Sequence, residues 1–251
     1  MNHLAIDTAT EVLSIALEVG SQPSRRFVRV RDAGLRHTTS LMPLVDSLLG
    51  EAGLTPRELE LVSCTRGPGS FTGLRIGMAT AKGIASALDA RRPPIVSVPT
   101  LDVMAAALVA PGALVLPVID GKKGRFYGAA YANGSRLTPD LDLAPSELAD
   151  AALRARRDSD DGRGVDAPLS LVVTGPHATA FCERIDAERA GGIAGYSLSV
   201  DPRARAGWAS VLLDLAEKRR ERFGLDLPGE GPEYVRGSDA EIARRNAARY
   251  G

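Results

Sequence analysis

Cys64 and Cys182 are the only two cysteines in the 251 residues. Each sits in an apolar stretch, and neither has paired-ligand spacing. That excludes a disulfide scaffold and fits a reducing compartment. Histidine is nearly as scarce. His3, His37 and His177 lie in three separate segments, so no His-x-x-x-His or Cys-x-x-Cys pair supplies adjacent metal ligands. Aromatic residues make up 4% of a chain that is 44% hydrophobic, so Ala, Leu and Val must fill the core. Net charge is absent, with 31 Lys and Arg against 31 Asp and Glu. Without a global positive field, any nucleic-acid contact is local or comes from a partner. No apolar run approaches the ~18 residues of a membrane span. The opening MNHLAIDTAT has neither the basic nor the apolar region of a signal peptide, so the expected location is the cytoplasm. A Gly-x-Ser-x-Gly elbow and the Gly-Lys-Ser/Thr ending of a P-loop are also missing.

What the chain does have is a β-β-β-α-β-α order that occurs twice. Leu4-Ala5-Ile6 ends at Asp7, and after Thr8-Ala9-Thr10 comes an alternating run, Leu13, Ile15, Leu17 and Val19. Residues 26–31 give a third strand. Leu41, Leu44, Val45, Leu48 and Leu49 stand at helical spacing within 38–52, with Pro43 in the first turns. Thr55-Pro56-Arg57-Glu58 reads as a capping box. Then come a strand at 61–65, a helix at 71–88, a strand at 95–98 and a helix at 100–110. Near Pro111-Gly112 the pattern restarts. Strand 114–120 ends at Asp120, strand 125–132 returns, and 136–143 makes a third. A helix at 146–157, a polar mobile loop at 158–167, strands at 171–174 and 196–200, and helices at 178–189 and 206–222 follow. The tail has one strand-like spot, Tyr234-Val235-Arg236. Ile6-Asp7 matches Ile119-Asp120, and Thr65-Arg66-Gly67-Pro68 matches Thr174-Gly175-Pro176. The order predicts a duplicated two-domain α/β fold on the plan of actin, Hsp70 and the sugar kinases. Residues 1–110 form the first domain, 111–223 a degenerate second, and 224–251 a tail.

Proteins of that plan bind ATP between their domains, on turns whose backbone N–H groups hold phosphates. Here the first turn, Asp7, Thr8 and Thr10, has a carboxylate and hydroxyls but no glycine or cation. The second, Asp120 and Gly121 with two lysines, lacks an Asp-x-Gly-Gly run. Both read either as turn residues or as vestigial phosphate loops. Gly67-Pro68-Gly69-Ser70 is either an anion-binding helix start or a tight connection. The stronger signal is the stripe Gly73, Gly77, Ala81 and Ala85. Glycine inside a helix costs about 1 kcal/mol relative to alanine, so something must come close to that face. Either a partner helix packs on it or the chain's own core does.

RGPGSFTGLRIGMATAKG (residues 66–83), LAIDTAT (4–10), RHTTSLMPLVDSLL (36–49), VSVPTLDVMA (96–105) and PEYVR (232–236) together resemble the bacterial tRNA threonylcarbamoyladenosine biosynthesis family TsaB, also called YeaZ. The resemblance covers nearly all of the first half and mainly the strands and tail of the second. It implies an actin-like fold and a non-catalytic role beside a related catalytic subunit, TsaD, whose His-x-x-x-His metal site has only His37 as a counterpart here. It implies a heterodimer with TsaD, recruitment of the ATPase TsaE, a homodimer when TsaD is absent, and tRNA contact only through the complex. No cofactor is expected on this chain alone, and ATP or ADP is assigned, if anywhere, to an interface within the complex. The contact faces it implies are His37, Leu41, Leu44, Val45 and Leu48 on one helix, and Phe71, Gly73, Arg75, Gly77, Met78, Ala81 and Lys82 on the other. The alternatives are an independent ATP-dependent kinase of the sugar-kinase class and a peptidase. The incomplete phosphate loops oppose the first, and the lack of a metal or nucleophile constellation opposes the second.

Overall fold

The structure, a computed structural model, describes residues 1–20, 23–34, 36–88, 92–108, 110–159, 169–189, 196–227 and 229–235. The first half runs His3–Asp7 (β1), Val12–Val19 (β2), Arg25–Asp32 (β3), His37–Ala52 (α1), Leu61–Thr65 (β4), Phe71–Ser86 (α2), Ile95–Val98 (β5) and Thr100–Ala106 (α3). Among the described residues its strands form a five-stranded sheet in the order β3-β2-β1-β4-β5. The hairpin strands pair antiparallel, and β1, β4 and β5 run parallel. The second half runs Leu114–Lys122 (β6), Arg125–Gly128 (β7), Tyr131–Ala132 (β8), Ser135–Arg136 (β9), Leu141–Leu143 (β10), Pro145–Ser159 (α4), Leu169–Thr174 (β11), Ala178–Glu188 (α5), Tyr196–Val200 (β12) and Ala209–Phe223 (α6). Its order, β10-β7-β6-β11-β12, repeats the first, with the small β8–β9 hairpin added at β6. Several of the expected boundaries move: the strand expected over 125–132 is split into β7 and β8, and the helix expected over 100–110 ends at Ala106. The strand expected over 136–143 is divided, because Pro139 cannot donate to a ladder and the Thr138 hydroxyl takes the Ala130 N–H instead. Tyr234-Val235 forms no strand, and Arg236 lies outside the described residues, as does most of the 158–167 loop.

The central strands β1 and β4 are buried along their whole length because both sheet faces are covered. Leu4 and Ile6 of β1, with Val62 and Cys64 of β4, meet Leu41, Val45 and Leu48 of α1 and Met78 and Ala81 of α2. On the other face, Ala5, Leu61, Val96 and Val98 meet Leu101 and Met104 of α3 and Leu212, Leu213 and Ala216 of α6. Although α6 follows the second-half strands in sequence, it packs on β1, β2, β4 and β5. The same core continues into Val115, Ile119 and Tyr131 of the second sheet. α4 and α5 cover the far face of that sheet. No helix among the described residues is long and apolar enough to cross a membrane.

Candidate functional site

β1 and β6 end beside each other at a cleft of about 410 Å³, with Thr10, His37, Ser70, Asp120, Lys122 and His177 in its lining. The first turn is closed by its own chain. Asp7 is buried, and one of its oxygens accepts from the Thr65 hydroxyl at 2.9 Å and the Ala9 N–H at 3.1 Å. Burial pushes its carboxyl up to about 6, against those two donors. The Thr8 hydroxyl donates to the Gly73 carbonyl at 2.8 Å, and the Ser70 N–H donates to the Ala9 carbonyl at 2.7 Å. His37 Nε2 lies 2.8 Å from the Thr10 carbonyl oxygen. A carbonyl only accepts, so Nε2 carries the hydrogen.

The second turn faces the first across the cleft. Asp120 accepts from the Lys122 N–H and ammonium, both at 2.8 Å. Its burial raises the carboxyl, but these donors outweigh it and hold the group below its usual range. The Asp120 N–H donates to His177 Nδ1 at 3.1 Å, which leaves the hydrogen on Nε2, 3.3 Å from Glu11. Arg205 joins Glu11 at 2.8 Å and Asp32 at 2.7 Å. Burial works against the Glu11 carboxylate, yet His177 and Arg205 bring its pKa down to about 2. The chain Asp120–His177–Glu11–Arg205 therefore ties the two halves together across the cleft. The residue types alone did not single out Glu11, His177 or Arg205. The available signal was that His177 follows Gly175-Pro176, the second-half counterpart of Gly67-Pro68.

The small-residue stripe of α2 faces inward. A Cβ on Gly73 would overlap the Thr8 carbonyl oxygen, and one on Gly77 the Thr8 hydroxyl. Ala81 and Met78 are buried in the core under the helix. The close neighbour that the glycines make room for is thus the β1–β2 turn. The contact residues implied by resemblance divide by burial. His37, Leu41, Val45, Leu48, Gly73, Gly77, Met78 and Ala81 are all buried within the chain. An apolar stripe beside a sheet is drawn to the sheet first.

Leu44, Phe71, Arg75 and Lys82 keep some exposure, and the last three are held by the chain's own tail. Arg75 Nε donates to the Tyr234 hydroxyl at 3.0 Å, and its guanidinium lies 3.7 Å from the centre of the Phe71 ring. The Phe71 and Tyr234 rings are 4.8 Å apart, and the Lys82 ammonium donates to the Glu230 carbonyl. Asp226 pins the start of the tail by two bonds to β5, and the Glu233 N–H donates to the Arg66 carbonyl. Gly67 is needed where the tail crosses, since its φ is +125° and a Cβ would overlap the Glu233 carbonyl. The outward face of the helix pair is a different set. Thr39, Met42, Pro43, Asp46 and Ser47 are exposed on α1, as are Thr72, Ala79 and Gly83 on α2. Among the described residues, no group of three or more His, Cys, Asp or Glu is placed to hold a metal ion.

Two sheets of one strand order, each with its crossover helices and with a cleft between the ends of their first strands, define an actin-like protein of the Hsp70 and sugar-kinase superfamily. The family model for TsaD, tRNA N6-adenosine threonylcarbamoyltransferase, matches residues 30–158. The chain belongs to this family, on its TsaB (YeaZ) side. The TsaB protein of Bacillus subtilis is 29% identical over 247 residues, 96% of each chain. That of Escherichia coli is 38% identical over 133 residues, 52% of this chain and 55% of its own. The solved YeaZ structure from Pseudomonas aeruginosa has the same fold, with a TM-score of 0.68 at 23% identity over 93% of this chain and 100% of its own.

Proposed function

We propose that this chain is the non-catalytic subunit of a cytoplasmic complex that transfers a threonylcarbamoyl group to N6 of adenosine 37 in tRNAs reading codons that begin with A. It pairs with TsaD through the outward face of α1 and α2, supports TsaE, and forms a homodimer across the same face when TsaD is absent. The observation that carries the non-catalytic reading is the closed first turn. The Asp7 carboxylate is turned inward onto the Thr65 hydroxyl and the Ala9 N–H, and the Thr8 hydroxyl donates to the Gly73 carbonyl, so two donors that could cradle a phosphate are spent inside the chain. The TsaB names of the relatives support the pathway, and the match to a TsaD family model supports descent from a common ancestor with the catalytic partner.

Reconstitution tests this. TsaD, TsaE and an activated threonylcarbamoyl donor should modify tRNA when this chain is added and fail without it. The isolated chain should bind ATP weakly or not at all and show no turnover. Hydrolysis by the isolated chain at ~1 per second or faster, abolished by Asp7→Ala, would overturn the reading.

A further inference from the structure

A second cavity, of about 800 Å³, lies between α3, the β8–β9 hairpin and α6. It is on the opposite side of the first sheet from α1 and α2, so it stays open when that pair is covered. Its floor is apolar, with Val98, Ala105, Val115 and Leu215, and its rim on α6 carries Lys218, Arg219 and Arg222. Helical spacing gathers these three cations around Leu215 and sends Asp214, Glu217 and Glu221 to another flank. Asp214 and Glu217 are already engaged, by Arg26 and Arg220. No carboxylate among the described residues forms an ion pair with Lys218, Arg219 or Arg222. Arg136 on the facing wall differs, being neutralised by Asp102 at 3.0 Å and Asp140 at 2.6 Å. At the end of α6, Phe223 is 63% exposed, and the Arg219 and Arg222 guanidiniums sit 5.2 and 4.9 Å from its ring centre. In a chain of zero net charge, this local positive edge is not a by-product of a general excess.

Cations with no ion-pair partner among the described residues, beside an exposed ring and an apolar slot, suit a strand whose phosphates are gripped and whose unstacked bases find aromatic and apolar surface. We propose that Lys218, Arg219, Arg222 and Phe223 form an RNA contact that holds an unpaired stretch of the tRNA. The identity of the RNA rests on the function proposed above, whereas the charge and ring geometry do not.

The test is binding of a full-length tRNA transcript, titrated at several salt concentrations, by the chain alone and by the chain paired with TsaD. Reversing the three cations (Lys218→Glu, Arg219→Glu, Arg222→Glu) should lower affinity at least about tenfold near 50 mM salt. It should also flatten the log–log salt slope by about 2, as expected for three lost phosphate contacts to a single strand. Phe223→Ala should weaken binding with the slope unchanged. If charge reversal unfolds α6, the triple Gln variant reads the same slope. Unchanged affinity and slope in a folded variant would overturn the proposal, and they are also the result expected if the groove serves an acidic protein segment. Reduced RNA binding by the chain alone, with no pairing to TsaD, would keep the RNA contact and reject the function proposed above.

Discussion

Gly73→Leu should destabilise the isolated chain, even though leucine is the better helix former by up to about 1 kcal/mol. The new side chain starts inside the Thr8 carbonyl oxygen. It must push the β1–β2 turn off α2, breaking the Thr8 hydroxyl bond to Gly73 and the Ser70 N–H bond to Ala9. Overpacking costs about 1–3 kcal/mol, and each lost bond about 1 kcal/mol. The net loss, after the helix gain, is about 3 kcal/mol. For a chain of this size that is a fall in melting temperature of about 6–12 °C. Gly83 lies on the same helix with nothing within 4 Å of its Cβ position, so Gly83→Ala should raise the melting temperature by a few degrees. Opposite signs ten residues apart follow from which face meets the turn. An unchanged melting curve for Gly73→Leu, with pairing to TsaD lost, would put the stripe at the partner surface instead.

The pH dependence of stability should be nearly flat from about 4.5 to 6.5, because two buried groups oppose each other. Burial raises the Asp7 carboxyl from 3.8 to about 6. The folded state holds that proton more tightly, so this contribution is present at low pH and is lost as pH rises through 6. Burial also lowers His3 from 6.5 to about 4. The folded state resists protonation there, so this contribution is complete above 6.5 and is lost as pH falls through 4. Each shift corresponds to about 3 kcal/mol. Asp7→Asn removes the first and keeps its geometry, since the one oxygen that accepts from Thr65 and Ala9 can belong to an amide. The variant should be more stable than the natural protein at pH 7, by up to about 3 kcal/mol. It should also lose stability steeply on acidification from 6.5 to 4.5, as His3 acts alone. Melting curves across that range check both effects. Lower stability of Asp7→Asn at pH 7 would mean that the carboxylate is stabilised as an anion.

The strands and most helix positions were legible because both leave strong periodic marks. The alternating run from Leu13 to Val19 and the stripe from Leu41 to Leu49 are where the structure has β2 and α1. The capping box at Thr55–Glu58 is formed as its residues suggest. The direction of the glycine stripe was not legible. Spacing shows that one face of α2 is small, but whether that face meets a partner helix or Thr8 depends on a contact 65 residues away in sequence. Distance hides the site in the same way. Glu11 and His177 meet at 3.3 Å from opposite halves of the chain, and no local pattern pairs them. α6 carries an ordinary amphipathic pattern, which cannot say which of two sheets it will cover. The tail is short and polar, and its hold on Arg66, Arg75 and Lys82 comes from single side chains and carbonyls rather than from any period.

Pairing through the outward face of α1 and α2 is tested most directly by the affinity of TsaD for the natural chain and for Ala79→Arg with Gly83→Arg. Both positions are exposed, and Gly83 has open space around it, so the isolated variant should stay folded, with the helix gain of replacing Gly83 in its favour. In a helix-to-helix interface, two added charges would be buried without partners, which costs several kcal/mol. The expected result is a loss of affinity of about a hundredfold or more, with stimulation of tRNA modification lost in parallel. A folded variant that binds TsaD as tightly as the natural chain would contradict pairing through this face.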